Sequence, residues 1–431
     1  MQPILCYALA GMKSCLVLAA VVLADLLIGI GILASSPEPG SGEDLGKNAL
    51  LFSQVLQLVR QDYVDKDKVS YQELIYSALH GMVEKLDPHS QFVEPADFTE
   101  ELTENRGEMS GLGIVLSPLN GIMTIVSSIE DTPAARAGIV PGDQVRSVNG
   151  ISTDHKSFDE VGHLLRGEPG QSVQLTIYRP TTKQTLLFGL RREFIRIPSV
   201  RDAKMLDSRE TGNLKIGYVR ITEFVEPTPE ELDEELTTLQ ARGMQALILD
   251  LRFNPGGLVK SAVDTCGAFL PSRTMVVYTE GREAAQNQQY YTQVSSKPRP
   301  TFPLAVLVNA ETASAAEIVA GALKDLKRAI LVGETTFGKG VVQTETALPD
   351  GSAIRLTTAK YYTPDKQEIQ GRGIVPDIQS ILTRDEERTV LAQRRRQSRF
   401  PEEQSSSPQA RDSQLERAID ALRGYAIFSQ G

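Results

Sequence analysis

Two short segments of the chain carry side chains that are suited to nucleophilic chemistry. Ser314 lies in the small-residue stretch 309–318, and Lys339 stands between Gly338 and Gly340. A serine hydroxyl becomes a nucleophile when a neutral amine takes its proton, so a serine and a lysine can act together without histidine, metal or cofactor. The two segments therefore predict a Ser–Lys nucleophilic site with no metal and no cofactor.

Ser314 is predicted to lie at or near the start of a helix, because Ile318, Val319 and Leu323 follow it at helical spacing. The first turn of a helix leaves backbone N–H groups without intrahelical partners, and its positive end favours negative charge. The amide of Ala315 is therefore a candidate donor to an oxyanion. Taken alone, the segment fits equally well a serine that only caps the helix.

A glycine pair at 256–257 supplies a further candidate. It follows the apolar run Ala246–Leu251 and Pro255, and it precedes a helical stretch. Glycine lets a backbone approach a ligand closely, so either Gly256 or Gly257 is expected to give the second oxyanion donor. The other interpretation is a simple strand-to-helix turn. A phosphate-binding loop is excluded, because the turn is not followed by a glycine, a lysine and a serine or threonine in direct succession.

Lys339 is the candidate base. A free lysine has a pKa of about 10.4, so burial must lower this value by roughly three units, or about 4 kcal/mol, for activity near neutrality. If residues 339–343 are extended, the side chains of Lys339 and Gln343 point to one face, and the Gln343 amide can hold the amine without adding charge. By itself, a Gly-Lys-Gly sequence also fits a surface turn.

Histidine and cysteine offer no competing site. His80, His89, His155 and His163 show no metal-ligand spacing, and His89 is predicted to make a contact at the end of a helix. Cys266 is predicted to be a buried helix position rather than a reactive thiol.

The charge and the N-terminus limit the partners. The 431 residues carry a formal net charge of −10, which argues against nucleic acid as a partner. Residues 16–34 are apolar except for Asp25. This pattern predicts an export signal that is either cleaved near Ala34–Ser36 or retained as a membrane anchor, which would associate the protein with a membrane through residues 16–34.

The chain length predicts several domains. The helical segment at 45–103 cannot bury much apolar surface alone, so it is expected to pack on another domain or on a second copy of the chain, as a homodimer through these helices. The later region at 193–382 alternates apolar runs with helical stretches, which predicts a layered α/β core. The predicted divisions are an export segment at 1–36, a helical segment at 45–103, a strand-rich domain at 104–192, the α/β core at 193–382, and a polar tail at 383–431 with a short helix at 415–422.

The strand-rich region resembles a PDZ domain. The resemblance rests on Ser110–Ile114 and on the longer passage Thr132–Ile139, continued by Pro141-Gly142-Asp143 and Val148-Asn149-Gly150. In such a domain, backbone N–H groups form a nest for the carboxylate of a peptide C-terminus, and the peptide adds as a strand. The residues expected to form this nest are Gly111, Leu112, Gly113 and Ile114.

Together, these motifs resemble the carboxyl-terminal processing peptidases, or tail-specific proteases. The resemblance runs from about residue 50 to 380 and includes Gly333–Phe337, Lys360–Pro364 and Gly371–Asp377. Phe253 and the turn Asp365-Lys366-Gln367 depart from the usual pattern, which affects the expected loop shape.

The resemblance implies a multidomain α/β protein with a ClpP/crotonase-like protease core, an inserted PDZ domain and an N-terminal helical segment. It also implies a serine-type endopeptidase with a Ser–Lys dyad and a supporting glutamine, which map onto Ser314, Lys339 and Gln343. Such an enzyme cleaves C-terminal segments of exported or membrane proteins, in the periplasm or the thylakoid lumen.

Two other functional classes fit the sequence less well. An inert protease core carrying a PDZ scaffold is disfavoured, because the serine, the lysine and the glutamine are all intact. A crotonase-type acyl-CoA enzyme shares only the core architecture, and it would leave the PDZ domain and the export segment without a purpose.

Overall fold

The computed structural model describes residues 41–119, 121–129, 131–294, 301–399 and 411–429. The chain forms two compact units, one extending to Met82 and the other beginning at Val83. The predicted export segment at 16–34 and its cleavage region lie outside the described residues. Within the ranges given above, no helix is both long enough and apolar enough to cross a bilayer.

The first unit is helical, as predicted. It contains α1 (Ser41–Asp62), a 3-10 turn (Lys66–Lys68) and most of α2 (Tyr71–Glu84). Large apolar side chains of α1 are exposed, as expected for a unit that buries little apolar surface by itself. They are Leu45, Leu50, Leu51, Phe52, Val55 and Leu58.

The first strand of the second unit lies inside the segment at 45–103 that the sequence predicts to be helical. This strand, β1 (Gln91–Val93), pairs antiparallel with residues 353–355 and is followed by α3 (Pro95–Asn105). The Asp87 carboxylate forms the turn before β1, because it accepts hydrogen bonds from the amides of His89 at 2.8 Å and Ser90 at 2.9 Å. This turn ends the helical stretch and lets the chain join a sheet.

The strand-rich domain follows, with a separate apolar core of its own. Its main sheet has the order β3-β4-β5-β7-β8, with β6 paired to β5, while β2 pairs with β9. The elements are β2 (Glu108–Gly111), β3 (Ile114–Leu119), β4 (Ile122–Ser128), α4 (Pro133–Arg136), β5 (Gln144–Val148), β6 (Ile151–Ser152), α5 (Phe158–Leu165), β7 (Ser172–Arg179), β8 (Gln184–Arg191) and β9 (Glu193–Arg196).

The α/β core is built on two sheets. The larger sheet has the order β10-β11-β12-β15-β16-β19, in which all neighbours except β10 and β11 are parallel. The second sheet is antiparallel and joins β13, β14, β17 and β18 to β1. The elements are β10 (Val200–Met205), α6 (Ser208–Thr211), β11 (Ile216–Ile221), α7 (Thr228–Ala241), β12 (Ala246–Asp250), α8 (Val259–Cys266), β13 (Met275–Gly281), β14 (Gln289–Tyr291), β15 (Leu304–Val308), α9 (Ala315–Asp325), β16 (Ile330–Gly333), β17 (Val341–Ala347), β18 (Ala353–Tyr362) and β19 (Ile378–Gln379).

The larger sheet is buried on both faces, as its continuous apolar strands predict. Alternate residues of β12 point to opposite sides: Leu247 and Leu249 join one apolar cluster, and Ala246 and Ile248 join another. The first cluster also contains residues of α7, α8 and α9. The predicted layered α/β core is therefore confirmed.

The C-terminal region is more structured than the polar tail with a short helix at 415–422 that the sequence predicts. The structure has two helices there, α10 (Arg384–Arg399) and α11 (Ser413–Ser429). Ala418, Ile419 and Leu422 of α11 are buried in the second cluster of the larger sheet. The sequence showed only the apolar middle of α11, because its flanks are mixed in character.

The docking of α11 predicts a stability difference between two positions on the same helix. Leu422 is buried, so Leu422→Ala should lower the free energy of unfolding by about 2–5 kcal/mol through lost burial and the cavity left behind. Arg417 is exposed, so Arg417→Ala should change it by less than about 0.5 kcal/mol. Urea unfolding followed by circular dichroism measures both, and equal effects would contradict the docking.

Candidate active site

Ser314 lies at the boundary between the end of a parallel strand and the start of a helix, as the sequence predicts. It follows β15 in the chain, and α9 begins at the next residue. Its backbone has φ of 56° and ψ of −120°, whereas an ordinary N-cap residue is extended with negative φ. A positive φ at a non-glycine residue costs on the order of 1–3 kcal/mol and persists only where the surroundings enforce it. The backbone of Ser314 therefore differs from that of an ordinary N-cap residue.

The group that binds the Ser314 amide is the carboxylate of Glu317, which is fully buried in the first turn of α9. Its Oε2 accepts a hydrogen bond from the Ser314 amide at 2.9 Å and another from the Lys339 amide at 2.8 Å. Its Oε1 accepts from the Gly338 amide at 2.7 Å and from the Thr336 hydroxyl. One carboxylate thus receives four hydrogen bonds, three of them from the main chain.

This arrangement ties the segment of the candidate nucleophile to the segment of the candidate base. Because one oxygen of Glu317 accepts from both backbone nitrogens, Ser314 and Lys339 are held side by side. The sequence reasoning missed Glu317. The signal was present as a Ser-x-x-Glu spacing, which is typical of a capping box at a helix start.

The side chains of Ser314 and Lys339 are both half-buried. No hydrogen bond joins the hydroxyl to the amine among the contacts of the described residues, so the structure brings the two backbones together without closing the side-chain contact. Burial is the main cause that lowers the pKa of the Lys339 amine, and the positive charge of Arg355 lowers it further. This direction is the one that a neutral lysine base requires.

Gln343 is placed differently from the prediction. It lies in β17, whereas Lys339 precedes that strand, and the register with β18 shifts between Val342 and Gln343. The Gln343 Nε2 donates to the backbone oxygen of His89 rather than to the Lys339 amine. The assumed extended run from 339 to 343 is therefore incomplete. His89 makes its contact with Gln343 through its carbonyl group.

The Pro-Gly-Gly turn lies directly against Ser314. Gly256 has a φ of +110°, and a Cβ there would lie 2.7 Å from the Ser314 Cβ and 2.9 Å from the Ala315 nitrogen, so only glycine fits. Asn254 is fully buried and holds this turn. Its Oδ1 accepts from the Gly256 amide at 2.8 Å, and its backbone oxygen accepts from the Ala313 amide at 2.9 Å.

The candidate oxyanion donors differ in availability. The Gly256 amide is already used by Asn254. The amides of Gly257 and Ala315, by contrast, have no hydrogen-bond partner within the part of the chain that the structure describes. Gly257 has a φ of +123°, and a Cβ there would lie 2.3 Å from the Phe224 oxygen. The geometry therefore favours Gly257 over Gly256 as the partner of Ala315.

The four candidate residues of the carboxylate nest lie between β2 and β3. Gly113 has a φ of +75°, and a Cβ there would lie 2.2 Å from the Thr132 hydroxyl oxygen. The Leu112 and Gly113 carbonyls accept from the amides of Ala134 and Ile129. The amides of Leu112 and Gly113 themselves have no partner among the described residues, which leaves them available to a ligand. Gly111 ends β2 and Ile114 begins β3.

Cys266 is a fully buried free thiol at the end of α8, as predicted, and burial raises its pKa. Across residues 41–119, 121–129, 131–294, 301–399 and 411–429, no group of three His, Cys, Asp or Glu side chains is arranged to hold a metal ion.

Comparisons with known proteins agree with this architecture. Residues 215–380 match the model of peptidase family S41, and residues 124–179 match that of the PDZ domain. A carboxy-terminal-processing protease of Bartonella bacilliformis is 35% identical, with coverage of 80% of this chain and 78% of the relative. A carboxyl-terminal-processing protease of Synechocystis is 37% identical, covering 74% of each chain.

Among solved structures, a Bacteroides fragilis protein assigned to the S41 proteases aligns with a TM-score of 0.50 at 18% identity, covering 86% of this chain and 97% of that one. At this identity the likeness concerns the fold alone. The two family-model matches, and the relatives that are similar over most of their length, identify the chain as a PDZ-containing serine peptidase of the S41 family of carboxyl-terminal-processing proteases.

Proposed function

We propose that Ser314 is the nucleophile and Lys339 the general base of this peptidase. The observation that carries the proposal is the Glu317 carboxylate, which binds the backbone amides of both residues through one oxygen. The positive φ of Ser314, the lowered pKa of Lys339 and the contact with Gly256 support the same assignment.

The proposed reaction is acyl transfer. A change of rotamer brings the flexible Lys339 side chain to the Ser314 hydroxyl, and the neutral amine takes the hydroxyl proton as the oxygen attacks the scissile carbonyl. The amides of Ala315 and Gly257 donate to the resulting oxyanion, at the positive end of α9. The Lys339 ammonium then protonates the leaving amine. A water molecule activated by the same lysine hydrolyses the acyl-enzyme, which frees the Ser314 hydroxyl.

Gln343 is proposed to assist this chemistry once its side chain leaves the His89 carbonyl. An amide can accept a hydrogen bond from the Lys339 amine and aim it without adding charge. A carboxylate in that place would raise the lysine pKa and oppose the reaction.

The substrates are proteins, and we propose that the PDZ domain selects them by their C-termini. The unpartnered amides of Leu112 and Gly113 are the donors for a terminal carboxylate, and helix α5 packs beside β3, where an added strand would lie. We infer that the enzyme acts outside the cytoplasm, in the periplasm or the thylakoid lumen, with residues 16–34 as export signal or membrane anchor.

We also infer a homodimer through the N-terminal helices. The exposed apolar side chains of α1 support it, because an apolar helix face of this kind is costly to leave in water. Concentration-dependent sedimentation of the protein, compared with a variant carrying Leu51→Lys and Val55→Lys, distinguishes a dimer from a monomer.

Removal of either proposed catalytic side chain should abolish proteolysis. Ser314→Ala removes the nucleophile and Lys339→Met removes the base, so each should lower kcat by at least about 1,000-fold on a protein with an accepted C-terminal tail. Mass spectrometry of the products measures the loss, and unchanged thermal unfolding shows that the fold is intact. Turnover near the native rate in either variant would refute the dyad.

Binding of tail peptides without any product in the native protein would instead favour the inert scaffold.

Activity should rise with pH. The amine is active only when it is neutral, so kcat/KM should increase through the lowered pKa of Lys339, with a midpoint below the ordinary value of 10.5. Arg355→Gln removes a positive charge that disfavours the ammonium, so its midpoint should move to higher pH. Profiles of kcat/KM from about pH 6 to about pH 10 test both statements. A profile that falls over this range would contradict a lysine base.

Replacement of Glu317 should separate positioning from chemistry. In the native protein the donors around Glu317 use both of its oxygens, but Glu317→Gln leaves only one acceptor oxygen. The Ser314 and Lys339 segments should therefore separate, and kcat should fall about 100-fold. Glu311→Gln, at an exposed position three residues before Ser314, is the matched control and should retain the native rate. Equal kinetics for the two variants would exclude this role for Glu317.

A further inference from the structure

Arg252 is almost fully buried next to the Pro-Gly-Gly turn, and its guanidinium forms ion pairs with two carboxylates. Its guanidinium donates to Asp250 at 2.7, 3.0 and 3.2 Å. It also donates to both oxygens of Asp412, each at 2.9 Å. Asp250 precedes the turn in the chain, but Asp412 comes from the C-terminal region, 160 residues away. The C-terminal region therefore reaches the edge of the sheet where the candidate site lies.

Asp412 also starts helix α11. Its Oδ1 accepts from the Leu415 amide at 3.0 Å, and its backbone oxygen accepts from the Glu416 amide. This is the pattern of an N-cap. The carboxylate that caps α11 is thus the same one that binds Arg252, so the start of the helix and the Arg252 side chain are held together.

Gln414, which is fully buried, links two loops of the site. Its Oε1 accepts from Arg252 at 3.1 Å, on the side of the Pro-Gly-Gly turn. Its Nε2 donates to Glu334 at 3.2 Å and to the Ser380 carbonyl at 2.8 Å. Glu334 follows β16 directly and begins the loop that leads to Lys339. One amide side chain therefore braces the oxyanion turn and the loop of the base at the same time.

Both loops contact the groups that surround the candidate nucleophile and base. From Arg252 the chain continues to Asn254, whose side chain holds the Gly256 amide. From Glu334 it continues to Thr336 and Gly338, which donate to Glu317. A small shift at Arg252 or Glu334 is therefore transmitted to the oxyanion donors and to Lys339.

We propose that Asp412 and Gln414, at the N-terminal start of helix α11, are positioning residues of the peptidase. The inference rests on the proposed Ser314–Lys339 function. Because both residues act behind the site, they should influence the transition state more than the binding of the substrate.

The experiment uses the full chain with Asp412→Asn and Gln414→Leu. The asparagine can still cap α11 but loses the charge that faces Arg252, and the leucine keeps the volume but loses both hydrogen bonds. Each variant should lower kcat about 10- to 100-fold while KM stays within about twofold, since a displacement of about 1 Å at the site costs this much. The inhibition constant of a peptide aldehyde, whose adduct with the serine carries the oxyanion, should rise in parallel with the loss in kcat.

The matched control is Leu422→Ala, which weakens the docking of α11 two turns away without touching Arg252 or Glu334. It should lower the thermal unfolding temperature and keep kcat at temperatures where the chain is folded. Gln414→Glu gives a second check. The new carboxylate can still accept from Arg252, but its charge repels the Glu334 carboxylate, so kcat should lie between the native value and that of Gln414→Leu.

The inference is overturned if Asp412→Asn and Gln414→Leu keep native kcat and aldehyde inhibition. It is also overturned if their losses in kcat follow their losses in stability along the line set by Leu422→Ala. These outcomes differ from failure of the proposed function, which would be seen as cleavage by the Ser314→Ala variant.

Discussion

The arrangement of this site depends on one buried carboxylate. Glu317 is excluded from solvent and receives hydrogen bonds from residues of two different chain segments. A buried charge without partners is very costly, so the four donors must be in place whenever the side chain is ionised. The need to satisfy Glu317 therefore forces the turn at Ser314 and the Thr336–Lys339 loop into contact. Burial raises the pKa of Glu317 and the four donors oppose that rise, which makes its ionisation dependent on the assembled site.

The strained backbone of Ser314 has close contacts on two sides. Its amide is directed at Glu317, and Gly256 occupies the space on its other side. Ser314 is therefore fixed between the Glu317 carboxylate, which accepts from its amide, and Gly256, where any side chain would collide with Ser314. The contributing elements come from the parallel sheet, whose β15 leads to Ser314, and from the antiparallel sheet, whose β17 follows Lys339. The site thus lies where the carboxyl ends of parallel strands meet the second sheet, as is common in α/β folds.

Much of this could be predicted from the sequence, because the signals are local. Apolar runs such as Ile216–Ile221 identified the strands of the core, and small residues around Ser314 identified the helix start. The features that escaped prediction depend on contacts between distant segments. Strand β1 exists because residues 353–355 are available to pair with it, and the contact of Gln343 with His89 spans 254 residues. The length of α11 follows from burial against the sheet rather than from its own periodicity, and the roles of Glu317 and Gln414 appear only when their partners are known.

The charges of the site are compatible with the proposed role of Lys339 as a base near a carboxylate. A carboxylate that faced the amine would stabilise the ammonium and raise its pKa. Glu317 directs its oxygens at backbone amides and at a hydroxyl, so its charge is taken up by the main chain, and the amine pKa is governed by burial and by Arg355. The same separation is seen at Arg252, where two carboxylates neutralise a buried guanidinium behind the oxyanion turn without reaching the reacting atoms. Acidic residues therefore fix the main chain of this site, while the proposed reacting groups are backbone amides, a hydroxyl and an amine whose pKa is lowered.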